Sequence, residues 1–158
     1  MQQRIRVLQI IVYAMMGGLG VFMVVALALS PIGDTTPEAV NMFLAVLGGL
    51  AVMEAMTYLA MRGMILAQLR KWFEREPPGD DAEARVLPAM TTITLIRSAM
   101  IEGTALFGTV ILLLSGWKVL AVVPVLGIVL LAMGIPTETR LRELATSITG
   151  RNPFAQNT

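Results

Sequence analysis

Three ionisable side chains interrupt stretches of the chain that are otherwise apolar: Glu54, Arg97 and Glu102. Ionisable groups are costly in lipid and persist there facing a partner or a wet cavity, so each marks a candidate site. Glu54 stands seventeen residues after Pro37, and Arg97 eighteen before Ser115. At about 1.5 Å per residue both lie about 25–27 Å from the outer ends of their helices. Burying paired charges costs far less than burying unpaired ones, so the spacing predicts an intramembrane ion pair, Glu54 with Arg97. Arg97 and Glu102 are five residues apart, about 140° around a helix, and do not share a face. Glu102 is then left without a basic partner, with Ser98 and Thr104 nearby. Two readings stand: Glu102, Ser98 and Thr104 bind an ion, or Glu102 bonds a hydroxyl or carbonyl of another helix and fixes packing.

Other chemistries are excluded by composition. The chain has no Cys and no His, which removes disulfides, structural zinc, iron–sulfur clusters, His- or Cys-ligated haem, and Cys–His or Ser–His catalysis. No nucleophile–base pair or metal-ligand set stands out, so no catalytic residue, metal or cofactor is expected and the chain is read as a non-enzyme. A net charge of +1, with no basic patch flanked by stacking aromatics, gives no argument for nucleic acid.

The elements that must position these charges are membrane helices. Of 158 residues, 56% are hydrophobic and 15% charged, with a mean hydropathy of +0.73; soluble domains average about 45–50% and about 25%. Spans are predicted over about 7–30, 38–62, 88–114 and 118–134, each near the roughly 20 apolar residues that a crossing needs. The first follows a basic lead and ends near Ala26-Leu27-Ala28, like a signal peptide, but its apolar run exceeds the usual 7–15 or so residues and it reads as a retained helix. Thr36-Pro37-Glu38 reads as an N-cap, a first-turn proline and a first-turn acid. Trp72-Phe73 falls at the interface, where aromatic rings gather. Residues 74–85 form a polar loop, and Ser115-Gly116-Trp117-Lys118 a tight turn. Thr91, Thr92 and Thr94 read as hydroxyls back-bonding to their own helix.

Four spans make residues 1–136 an all-α transmembrane domain of two hairpins. Residues 137–158 form a cytoplasmic tail whose Leu141, Leu144 and Ile148 outline an amphipathic surface helix. Both termini then share a side with Arg4, Arg6, Arg62, Arg70, Lys71, Arg75, Arg85, Arg140, Arg142 and Arg151, against Lys118 opposite. The positive-inside rule makes that side cytoplasmic, and the setting fits a multi-pass protein of a bacterial inner membrane.

The hairpins look like copies. Shifting by 85 residues aligns Ala14, Met15, Gly18, Phe22, Val25, Leu27, Leu29 and Ser30 with Ala99, Met100, Gly103, Phe107, Val110, Leu112, Leu114 and Ser115. Gly17 takes the place of Glu102, and Val12 that of Arg97, so the charges belong to one copy. Gly17, Gly18, Gly48, Gly49, Gly103, Gly108 and Gly127 supply small surfaces for close helix contact. The twelve methionines read as adaptable packing.

Over Met100–Gly108, with Glu102, Ala105 and Gly108 before the aliphatic run Val110–Leu114, the chain resembles the carboxylate helix of the rotary ATPase proteolipid, the ring subunit of ATP synthases and vacuolar-type ATPases. That resemblance implies that Glu102 carries a proton or sodium ion. Two functions are expected: a non-enzymatic structural or accessory subunit that self-associates or packs into a larger membrane complex, and a proton- or cation-handling protein acting through Glu102.

Overall fold

A computed structural model describes residues 2–29, 36–75, 82–137, 139, 140, 143 and 146. Every element among them is helical: α1 (Gln2–Leu29), α2 (Pro37–Arg75), α3 (Ala82–Ser115), a 3₁₀ turn (Lys118–Ala121) and α4 (Val122–Met133). Ile5–Leu29, Glu38–Arg75 and Val86–Ser115 are long and apolar enough to cross a membrane, whereas Lys118–Met133 is shorter. The outward side chains Val21, Leu29, Met56, Leu114 and Val119 are each 67–68% exposed, a surface suited to hydrocarbon. These helices mark a membrane protein.

Local chemistry sets the ends. The Ala39 amide donates to the Thr36 hydroxyl at 3.4 Å, and Glu38 sits in the first turn of α2 beside its positive dipole end. α3 starts six residues before Pro88, earlier than the predicted span and inside the expected loop. A proline this early removes only one helical hydrogen bond. Val86, Leu87 and Met90 are buried there with Ile5 and Phe73, and this apolar contact outweighs the loss. Thr91 and Thr92 donate to the Leu87 and Pro88 carbonyls at 2.8 and 3.0 Å, the expected back-bonding. Gly116, at φ 68°, ends α3 in the left-handed conformation that glycine adopts most easily, and its amide donates to the Leu112 carbonyl at 2.9 Å.

α3 is the central helix, packing on α1, α2 and α4. Its most apolar window is 39% buried, against 17% for α1 and 11% for α2. The core runs along it as three clusters. Ile5, Phe73, Val86 and Leu87 lie at one end, Val12, Leu19, Ala105 and Leu131 in the middle, and Ala26, Ile111, Leu112 and Leu120 at the other. Trp72 and Phe73 stack edge-on at 4.9 Å near the first cluster. The polar loop falls largely on residues 76–81, and the C-terminal helix of 137–158 largely on residues beyond 140, outside the described residues. The Arg140 amide donates to the Thr137 hydroxyl at 3.3 Å, as at a helix N-cap.

Candidate intramembrane carboxylate site

Two glycines bring α4 against α3. A Cβ on Gly127 would lie 2.5 Å from the Ala105 Cβ, and one on Gly108 would lie 2.5 Å from Val123 Cγ1. α2 makes no comparable approach to α4 among the described residues. Between them a crevice of about 570 Å³ runs over α3. Leu44, Leu47, Ala51, Leu126 and Leu130 make its walls apolar, and Glu54, Tyr58, Arg97 and Thr104 supply its polar groups.

Glu54 comes from α2, and the Thr104 hydroxyl of α3 donates to its Oε2. The other oxygen, Oε1, faces Gly103, 3.5 Å from where a Cβ would be. Arg97 lies seven residues before Thr104 on the same α3 face, about 10 Å along the axis. Its Nη2 donates to the Leu130 carbonyl at 3.1 Å, and its Nη1 lies over Gly134, 2.6 Å from where a Cβ would be. Arg97 therefore closes the C-terminal end of α4, where orphan carbonyls and the negative dipole end need a donor and a cation. From α1, Gln9 Nε2 donates to the Pro136 carbonyl at 2.8 Å and closes the same end.

The structure thus gives Glu54 and Arg97 separate partners in place of the expected ion pair. The reason is register. Counting from Pro37 and Ser115 treats those ends as level, but Glu54 is seventeen residues from Pro37 whereas its partner Thr104 is eleven from Ser115. The offset of six residues, about 9 Å, moves Arg97 away from the carboxylate. Thr104, expected beside Glu102, faces Glu54 instead, since positions two apart lie about 200° around a helix. Ser98 is buried at 4% exposure on α3. Glu102 is half-buried and is not among the residues that line the crevice.

The glycines divide. Gly108 and Gly127 seat α4 on α3, and Gly103 faces Glu54, whereas a Cβ added at Gly17, Gly18, Gly48 or Gly49 would meet nothing within 4 Å among the described residues. Sequence reasoning missed the Thr104 partnership and Tyr58. The signal was present: Arg97, Met100, Ile101 and Thr104 follow the i, i+3, i+4, i+7 spacing of one face, as Glu54 and Tyr58 follow i, i+4. No protein-family model, curated protein or solved structure matches the chain.

Proposed function

We propose that this is a four-span, non-enzymatic membrane protein that works as a structural or accessory subunit, associating with itself or with a larger membrane complex. The observation that carries this reading is the set of open glycines. A Cβ added at Gly17, Gly18 or Gly20 on α1, or at Gly49 on α2, would have no neighbour within 4 Å among the described residues. In lipid, small residues on a helix surface let a second backbone approach closely. A fourth crossing by the 3₁₀ turn and α4 is supported by length: four residues of one and twelve of the other rise about 26 Å, against a hydrocarbon core of about 30 Å. The matched positions of α1 and α3 make the two hairpins diverged copies, with the basic ends cytoplasmic.

Extraction in mild detergent, followed by mass measurement, tests association. Native protein is expected as a homo-oligomer or a co-purifying complex, and Gly18→Leu, placed in open space, as a monomer of unchanged helicity. A native protein that stays monomeric and alone sinks the reading.

A second reading rests on Glu102, half-buried on α3 and without a hydrogen bond or ion pair to any described residue. In it Glu102 carries a proton or cation, as the proteolipid resemblance implies. Carbodiimide labelling at Glu102, suppressed by sodium or by high pH, supports it; full activity and assembly of Glu102→Gln removes it.

A further inference from the structure

Glu54 is a carboxylate set in an apolar wall, and among the described residues its one donor is neutral. The Thr104 hydroxyl satisfies Oε2, and Arg97, the cation sharing the crevice, closes the end of α4 about two turns away. A carboxylate in that setting attracts a positive charge far more strongly than one in water, because the local dielectric is low. Tyr58, one turn on from Glu54, also lines the crevice, and an aromatic face attracts a cation within about 6 Å of its centroid.

Size selects among occupants. A crevice of about 570 Å³ falls inside the range of roughly 300–1,000 Å³ typical of small-molecule sites. A lipid tail fits the walls but sets methylene groups against the Glu54 carboxylate, leaving it without a counter-charge. Arg97 lies about two turns from Thr104 with a guanidinium nitrogen on the Leu130 carbonyl, so the Glu54 end of the crevice favours a cation and repels an anion. What remains is a compact apolar body bearing a positive charge.

We propose that the crevice between α2 and α4 binds a lipophilic organic cation, with its charge at Glu54 and Tyr58 and its apolar body against Leu47, Ala51, Leu126 and Leu130. The ligand enters sideways from the bilayer, because α2 and α4 stay apart over the crevice.

The test compares tetraphenylphosphonium with tetraphenylborate, probes of nearly the same shape and opposite charge, by equilibrium binding to the detergent-purified full chain. The native protein binds the phosphonium and discriminates against the borate. Glu54→Gln, which keeps size and a hydrogen-bond acceptor, weakens phosphonium binding by at least about tenfold. Ala51→Trp fills the crevice and abolishes binding, with helicity by circular dichroism confirming the fold. Met56→Trp, on the outward side of α2 at 68% exposure, leaves binding unchanged. Equal affinity for both probes, no phosphonium binding, or unchanged binding in Glu54→Gln overturns the proposal. Loss in Glu102→Gln with retention in Glu54→Gln also overturns it and assigns the cation to the other carboxylate.

Discussion

A guanidinium offers five N–H donors in a fixed fork, and Arg97 directs them at the end of a helix. The last carbonyls of α4 have no partner within their own helix, and each such group shielded from water and left unsatisfied is costly. The bond to the Leu130 carbonyl therefore makes Arg97 a stabilising group in its own right. Arg97→Met keeps most of the apolar stem and removes the donors. It is expected to lower stability in detergent by about 1–2 kcal/mol, the upper part of the range for interhelical polar contacts in membranes. The sharper measurement is the double variant with Glu54→Gln. A direct ion pair makes the two losses strongly non-additive; separate partners make them add within about 0.3–0.5 kcal/mol. Additive unfolding energies are expected, and a coupling well above that range would restore the ion pair that spacing alone suggests.

At the scale of elements, two glycines set how closely α4 approaches α3. Val123, which Gly108 faces, is β-branched and stiff at χ1, and the Ala105 Cβ, which Gly127 faces, cannot rotate away. Gly127→Ala and Gly108→Ala are each expected to destabilise by about 1–3 kcal/mol, the usual cost of forcing a methyl into a packed contact. Gly63→Ala on α2, with nothing within 4 Å among the described residues, is expected to be neutral or to stabilise by up to about 1 kcal/mol, because alanine favours helix over glycine. Thermal unfolding of the three purified variants checks the contrast, and equal effects would contradict the packing. All these glycines look alike in the sequence, because a single helix does not reveal which of its faces meets a neighbour. What was legible depended on local chemistry: the Thr36 cap, the Gly116 turn and the threonine back-bonds are settled within a few residues. The partnership of Glu54 depended on the sliding register of α2 against α3, which no nearby residue fixes. The early start of α3 was hidden in the same way, since Pro88 is tolerated through burial against Ile5 and Phe73, far from it in sequence.

The whole molecule turns on whether Lys118–Met133, the shorter apolar stretch, completes a fourth crossing. An isolated helix of that length is marginal as a span, but this one is held by α1 and α3 and closed at its C-terminal end by Arg97 and Gln9. The residues that shorten it are therefore compensated within the bundle. If it crosses, Gln3 and Thr137 share one side of the membrane and Lys118 faces the other. A chain without cysteine makes this directly measurable, because single Gln3→Cys, Lys118→Cys and Thr137→Cys variants each carry one thiol. With an impermeant maleimide applied to intact cells, only Lys118→Cys is expected to label; after permeabilisation all three should. The order follows from the four-span reading of the sequence, which puts ten Lys and Arg residues on one side and Lys118 on the other, a bias that sets orientation through short loops. Labelling of Thr137→Cys together with Lys118→Cys from outside would mean that α4 turns back before crossing. Arg97 would then close a re-entrant helix, which is tolerated at membrane depth only where protein buries it.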